Sequence, residues 1–267
     1  MDAETLVETK RSRACSNCDE TDDWVSDLPN PILHHILSFL DTKYTVQTCL
    51  LSRRWRCLWK DVPVLKFSGF SFHHDEDSGF VNHVTKFLAL RFDSAAVSSV
   101  DIDFGFGMRD KNTAFQLIDS VLKHAGAASR GSNNLHHLSI ARFGTDDSYD
   151  VVGRIIAYGH HESLETLKLA GSEIKVGSLD RFRLLTSLEL SDCCFCSTEE
   201  ESSSLELDPF SNLPRLSYLK VIDCRTSSKN WSFVVSSGTQ LLDLEVRVAR
   251  DHMKDFDLVD RGFCAET

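Results

Sequence analysis

The sequence predicts a mixed α/β fold in which a small helical module is followed by a series of strand-containing repeats. Two observations carry this prediction. Apolar residues between Ile32 and Trp59 recur at spacings of three and four, which is typical of helices. Beyond Lys60, a six-residue template recurs with apolar residues at its first, fourth and sixth positions, and its second half alternates as a strand does. The hydrophobic content of 42% over 267 residues is enough for a packed core.

The chain divides into four segments by composition and pattern. Residues 1–23 hold seven acidic residues and few large apolar ones, so we expect a disordered acidic tail. Residues 24–60 form the helical module, residues 61–96 a connecting strand and helix, and residues 97–267 the repeats. Only 21 residues follow the last template copy and none forms an obvious polar cap, so we expect an irregular array that is shortened at its C-terminal end.

The helical module is predicted to contain three short helices. Asn30 suits the N-cap of the first helix and Pro31 its first position. The predicted apolar face of this helix consists of Ile32, Leu33, Ile36, Leu37 and Leu40. After a break at residues 41–43, the second helix carries Val46, Cys49 and Leu50, and the third carries Trp55, Leu58 and Trp59. A unit of about forty residues with several apolar faces cannot cover them all, so we expect another chain or domain to cover some.

The order of residues in this module is also informative. Leu28-Pro29 is followed by Ile32-Leu33, by Ile36-Leu37-Ser38-Phe39-Leu40, and by Leu51-Ser52-Arg53-Arg54-Trp55-Arg56-Cys57-Leu58-Trp59. This order resembles an F-box of the kind found in plant F-box proteins with leucine-rich repeats. The resemblance implies docking onto a Skp-type adaptor, which would join the chain to a cullin scaffold that carries a RING subunit.

The residues expected to contact the adaptor are Leu28, Pro29, Ile32, Leu33, Ile36, Leu37, Val46, Leu50, Leu51, Trp55, Leu58 and Trp59. Apolar helix faces laid in a partner's groove are a recurring mode of recognition, and we expect Trp55 and the Leu28-Pro29 turn to be the anchors.

Charge narrows the class of partner. Residues 24–60 hold five basic and two acidic residues, a net charge of +3 inside a chain of net charge −11, which favours an acidic partner surface. The overall charge opposes phosphate backbones, so nucleic acid is not an expected partner. A membrane is not expected either, because no stretch reaches the roughly 18 apolar residues of a spanning helix. The family resemblance implies a location in the nucleus, the cytoplasm or both.

The template copies match leucine-rich repeats. Five copies begin at Leu135, Leu164, Leu185, Leu216 and Leu241, and a weaker sixth begins at Val97. Their spacings of 21 to 38 residues straddle the roughly 20 to 29 residues of this repeat class. In two copies the pattern continues to Cys193 and Cys224, which we interpret as structural turn residues.

Stacked repeats of this class form a curved solenoid with a parallel sheet on the concave side. The residues predicted to point outward from that sheet and to contact a target protein are His137, Lys168, Glu189, Tyr218, Lys220 and Glu245. Their mixed charge specifies no ligand class.

Other short motifs contain residue types that occur in metal or modification sites, but a simpler interpretation fits each of them better. Cys15 and Cys18 have the spacing of half a zinc knuckle without a second pair, and residues 193–196 fit repeat turns better than a metal cluster. The ligand types in residues 73–77 are adjacent in sequence, so a solvated loop is expected there. Residues 197–204 are interpreted as a polar surface loop, with phosphorylation as the alternative. No nucleophile elbow, H-E-x-x-H or Walker loop is present, so we predict no catalytic residue, metal or cofactor.

Together, the two modules predict a non-catalytic substrate-receptor subunit of a Skp-cullin-F-box type ubiquitin ligase. The F-box would bind the adaptor and the repeats would bind an unidentified target protein. The alternative is a leucine-rich-repeat scaffold that binds proteins without engaging in ubiquitination.

Overall fold

The structure is a computed structural model that describes residues 24–72, 77–92, 94–105, 110–127, 134–141, 150–196, 205–227, 231–233 and 241–247. Several of the predictions concern segments outside these residues. They are the acidic tail, the Cys15 and Cys18 pair, residues 73–76 of the predicted loop at 73–77, the serine-rich loop at 197–204, and the chain beyond Arg247.

The N-terminal region contains α1 (Trp24–Asp27), α2 (Asn30–Leu37), α3 (Thr42–Gln47) and 3-10 turns at Thr48–Leu50 and Leu58–Asp61. Two details correct the prediction. Asn30 is the first residue of α2 instead of its N-cap, because the helix begins directly after Pro29, and no side chain caps it. The predicted third helix is a run of turns that ends in the 3-10 turn at Leu58, so Trp55 lies in a turn.

The described residues form twelve strands: β1 (Val64–Ser68), β2 (Ser99–Asp103), β3 (His137–Ala141), β4 (Thr166–Ala170), β5 (Glu173–Lys175), β6 (Ser187–Ser191), β7 (Cys194–Cys196), β8 (Leu205–Leu207), β9 (Tyr218–Ile222), β10 (Arg225–Thr226), β11 (Trp231–Phe233) and β12 (Asp243–Arg247).

Seven of these strands form one parallel sheet in the order β1-β2-β3-β4-β6-β9-β12. Each strand pairs with the next one in the sheet along the chain, and the fourth residues of successive template copies, such as Leu167 and Leu188, are register partners. The sheet therefore contains the strands of all six predicted copies. The connecting strand at residues 64–67 joins the sheet as its outermost member, β1. The predicted parallel sheet and α/β class are confirmed.

One face of the sheet is covered by helices. The second and fourth residues of β1 to β9 in this sheet are buried in a single apolar core, while their neighbours along each strand are half-buried or exposed. The same core contains the apolar sides of α4 (Asp77–Leu90), α5 (Lys111–Ala127) and α6 (Val151–Ala157). Because successive strand residues point to opposite faces, the remaining positions form a polar sheet face opposite the helices.

The turns after the strands repeat as well. Gly171, Asp192 and Asp223 each follow the last residue of a main-sheet strand and have positive φ angles of 73°, 51° and 48°. The chain then enters a small parallel sheet of β5, β7 and β10. Cys193 and Cys224 lie at this point and are buried, as expected for structural turn residues. A further pair, β8 with β11, is also parallel.

Candidate protein-binding surfaces

The N-terminal helices expose many large apolar side chains. We call this set the exposed apolar residues of the helical module: Val25, Ile32, Ile36, Phe39, Leu40, Tyr44, Leu50 and Leu51. Leu50 is 85% exposed and Leu51 is 67% exposed, although both belong to well-formed turns. Large exposed apolar side chains concentrated in one small module are typical of an interaction surface.

The apolar face predicted for α2 is divided between two environments. Leu33 and Leu37 are fully buried, whereas Ile32 and Ile36 are exposed. Residues four apart lie above one another on a helix, while adjacent residues point about 100° apart. The helix therefore presents one stripe to the interior and a neighbouring stripe to solvent.

Burial corrects part of the predicted adaptor contact. Five of the twelve predicted residues are buried within the chain: Leu33, Leu37, Trp55, Leu58 and Trp59. The first four pack with Val62 in a small core of their own, and Trp59 belongs to the main core. A side chain such as Trp55, 4% exposed, has no surface to offer a partner, so these five residues pack the interior of the module and are not available for the predicted contact.

The remaining predicted residues are accessible to different degrees. Ile32, Ile36, Leu50 and Leu51 are exposed, and so is Pro29, while Leu28 and Val46 are half-buried. The Leu28-Pro29 turn is fixed by Arg54, whose guanidinium donates hydrogen bonds to the Leu28 carbonyl and to Asn30 Oδ1, the latter over 3.0 Å. This role of Arg54 is not evident from the sequence, because its contacts lie 26 and 24 residues away.

The six predicted target-binding residues lie on the polar sheet face. Register places Lys168, Glu189, Lys220 and Glu245 side by side on β4, β6, β9 and β12, and we call these four the charged row. His137 and Tyr218 lie in the neighbouring row, aligned through Thr166 and Ser187. All six are exposed or half-buried.

The charged row alternates in sign and is internally paired. Lys168 Nζ lies 2.7 Å from Glu189 Oε1, and Lys220 Nζ lies 2.7 Å from Glu245 Oε2. The hydrogen bond to Glu245 raises the pKa of Lys220, and the same bond lowers the pKa of Glu245. Arg247 adds a second cation 2.8 Å from Glu245. The row therefore consists of two pairs of opposite formal charge, which sum to zero.

The geometry of the cysteines argues against a metal cluster in the repeat turns. Cys196 Sγ donates a hydrogen bond to Glu173 Oε1 over 2.6 Å, and burial together with this contact raises the pKa of Cys196 to about 12. Burial also raises the pKa of Cys194. Thiols bind metals as thiolates, and the raised pKa values of these two thiols disfavour that form. Within the described part of the chain, no group of three or more His, Cys, Asp or Glu side chains is placed to hold a metal ion.

Among the helices of the described residues, none combines the length and the apolar character that crossing a bilayer requires.

The helical module is similar in sequence to a known domain family. The family model for the F-box domain matches residues 25–67. An FBD-associated F-box protein of Arabidopsis thaliana is 42% identical over 84 residues, which are 32% of this chain and 18% of the relative. An F-box/LRR-repeat protein of the same plant is 42% identical over 81 residues, 27% of this chain and 25% of the relative.

One longer similarity extends through the repeats. An F-box/FBD/LRR-repeat protein of Arabidopsis thaliana is 27% identical over 230 residues, which are 80% of this chain. The matched region makes up 49% of that relative, and 18% to 25% of the two relatives above. The chain thus spans at most about half the length of these curated relatives.

Proposed function

Because residues 25–67 are an F-box domain and the chain is consistent with a plant F-box protein with leucine-rich repeats, we propose that it is the substrate-receptor subunit of a Skp-cullin-F-box ubiquitin ligase. The observation that carries the proposal is the exposure of large apolar side chains within the matched F-box. F-box domains typically bind Skp-type adaptors. The adaptor would link this chain to a cullin-RING scaffold, whose partner enzymes transfer the ubiquitin.

The adaptor contact is proposed to be made by exposed residues and supported by buried ones. The contacting residues are Pro29, Ile32, Ile36, Leu50 and Leu51, with half-buried Leu28 and Val46 at the edge. Burial of one large aliphatic side chain on binding contributes about 1.5–3 kcal/mol, so several together support a stable complex. The net charge of +3 in residues 24–60 favours an acidic adaptor surface and faster association.

The target is proposed to bind the polar sheet face of a leucine-rich-repeat solenoid. The solenoid interpretation is supported by seven parallel strands in chain order, which share one template and one register. The contacting residues would be the charged row with His137 and Tyr218. This face lies opposite the helices, where strands of a stacked array remain accessible to a large partner. We propose a location in the nucleus or the cytoplasm, where such ligases act.

The proposal is tested by co-expressing the full chain with Skp-type adaptors and measuring the complex by size exclusion and calorimetry. Leu50→Asp should abolish the complex, because it places a charge in an apolar contact. Leu242→Asp is the matched control, since Leu242 is 83% exposed, similar to Leu50, but precedes β12 far along the chain. We expect the control to bind as the wild type does.

Two results would contradict the proposal. One is the absence of a complex between the wild-type chain and any adaptor, and the other is an intact complex with Leu50→Asp. Binding of a target protein by the sheet face without adaptor binding would favour the alternative, a protein-binding scaffold outside ubiquitination.

A further inference from the structure

We propose that the three consecutive residues Asp41, Thr42 and Lys43 form a joint that sets the angle of the F-box on the repeat sheet. We call them the joint residues. In sequence they read as a break between two helices, and in the structure each side chain contacts an element beyond the F-box helices. The consequence for ubiquitin transfer rests on the proposed function, whereas the joint itself does not.

Asp41 bridges the two modules with its two carboxylate oxygens. Oδ1 accepts a hydrogen bond from the Lys43 backbone N–H over 2.8 Å and so caps α3. Oδ2 accepts a hydrogen bond from the Ser68 backbone N–H over 2.8 Å, at the end of β1. In the described part of the chain β1 is the outermost strand of the sheet, so its outward backbone groups have no neighbouring strand there to pair with. The carboxylate satisfies one of these edge groups and a helix terminus at the same time.

Thr42 and Lys43 add contacts to two further elements. Thr42 is buried, and its Oγ1 lies 3.1 Å from Nε2 of His83 on α4. Lys43 Nζ donates a hydrogen bond to the Ser71 carbonyl over 2.5 Å and lies 4.6 Å from the centroid of the Phe72 ring. The joint residues thus contact the outer strand, the turn after it, and the helix that packs beneath it.

A second attachment of the F-box to the sheet explains why the contacts of the joint residues fix an angle. The F-box is also joined to the sheet covalently through residues 62–64, where buried Arg91 donates hydrogen bonds to the carbonyls of Val62, Ala95 and Ala96. One attachment point permits rotation about itself, while two separated points restrict it. The joint residues lie about twenty positions upstream of the covalent link and provide a second, polar attachment, beside the apolar packing of Trp59, Val46 and Cys49 against the main core.

In the proposed ligase this angle has a functional consequence. The adaptor would hold the F-box, and the sheet face would hold the target. The distance between the target and the transferring enzyme would then depend on how the F-box sits on the sheet. The joint residues are positioning residues in this sense, since none of them is among the residues proposed above to contact the adaptor or the target.

Two substitutions of Asp41 should keep the cap of α3 and remove the hydrogen bond from the Ser68 N–H. Asp41→Asn preserves size and the capping oxygen but places an amide donor opposite the Ser68 N–H. Asp41→Ser preserves a good N-cap, but its single oxygen cannot serve both N–H groups. Asp150→Asn is the matched control, because Asp150 caps α6 through the Gly153 N–H over 2.7 Å and is remote in sequence from the joint.

The angle can be measured in the full chain by single-molecule energy transfer between genetically encoded labels at Gln47 on α3 and Leu242 before β12. Both positions are exposed. We expect one narrow distribution for the wild type and Asp150→Asn, and a broadened or shifted one for Asp41→Asn and Asp41→Ser. Amide exchange at Ser68 should accelerate on the order of tenfold to hundredfold in the Asp41 variants, as expected for loss of a hydrogen bond to a charged acceptor.

Unchanged energy-transfer distributions in both Asp41 variants would contradict the proposal that the joint residues set this angle. Equal broadening in Asp150→Asn would also overturn it, because that result would reflect general destabilisation. Adaptor binding is measured separately on the same proteins. Failure of the wild-type chain to bind an adaptor would contradict the proposed function. The energy-transfer result would then still test whether the joint residues set the angle.

Discussion

Lys168 Nζ on β4 lies 2.7 Å from Glu189 Oε1 on β6, and the two residues are direct register partners. The same pairing recurs two strands further along, between Lys220 and Glu245. The charged row is therefore a series of cross-strand ion pairs on the face proposed to bind the target. A partner surface that carries charges of a single sign would have to break these pairs. A surface with mixed charges or uncharged polar groups would not.

The first prediction concerns the stability of this row. Lys168→Glu places like charges on neighbouring strands and should lower the free energy of unfolding by about 0.5–1 kcal/mol, the scale of exposed cross-strand pairs. The double swap of Lys168→Glu with Glu189→Lys restores this opposite pair but places a lysine beside Lys220 on β9, so it should recover only part of that loss. Urea denaturation of the wild type, both single variants and the double variant gives the coupling. Additive effects in this cycle would show that the pair contributes nothing.

The second prediction separates buried from exposed residues of the F-box. Leu37→Ala should lower the free energy of unfolding by about 2–5 kcal/mol, because it leaves a cavity in the small core around Trp55. Leu50→Ala should change it by less than about 0.5 kcal/mol, because Leu50 is in solvent. Denaturant unfolding of each variant in the absence of an adaptor is the measurement. A large loss with Leu50→Ala would mean that this residue packs within the chain.

The sequence predicted the sheet well for a physical reason. A strand has a side-chain period of two, so the template fixes which residues face the core, as it does for Leu188 and Leu190. It also identified Cys193 and Cys224 as turn residues. The order of the strands followed because neighbouring repeats stack along the chain.

The sequence did not show that α2 has one buried and one exposed apolar stripe. It also did not show that residues 41–43 contact elements beyond the F-box helices. Ile32 and Leu33 are both aliphatic and adjacent, and only the tertiary position of Trp55 decides which of the two is covered. Asp41, Thr42 and Lys43 looked like a turn, because their partners are 27, 41 and 28 residues away in the chain. Local pattern carries no information about contacts at such separations.

The third prediction is a pH dependence from His83. Burial, followed by the nearby charge of Lys43, lowers the pKa of His83, which lies among the rings of Phe67, Phe72 and Phe87. The folded chain then binds this proton less readily than the unfolded chain. The stabilisation is complete above the usual histidine pKa of 6.5 and is lost as the pH falls toward the depressed value.

Melting temperatures at pH 7.5 and 5.5 test this prediction. The wild type should melt lower at pH 5.5, and His83→Gln should reduce the difference because it removes the titrating group. The Asp41 carboxyl has the opposite effect on stability at lower pH. Burial raises its pKa above the ordinary 3.8, so protonation of this group favours the folded state. An equal pH difference in His83→Gln and the wild type would assign the effect to other groups.

The fourth prediction concerns the turn that follows each strand. Gly171, Asp192 and Asp223 occupy equivalent positions with positive φ, and only glycine adopts this conformation without a steric cost from Cβ. Gly171→Ala should therefore lower the free energy of unfolding by about 1–2 kcal/mol. Asp192→Gly should be neutral or stabilising by up to about 1 kcal/mol, because aspartate tolerates this region but does not prefer it. Thermal and urea unfolding of the two variants measure both effects. A neutral Gly171→Ala, together with a destabilising Asp192→Gly, would mean that the aspartate side chain, and not the backbone angle, determines the stability of this turn.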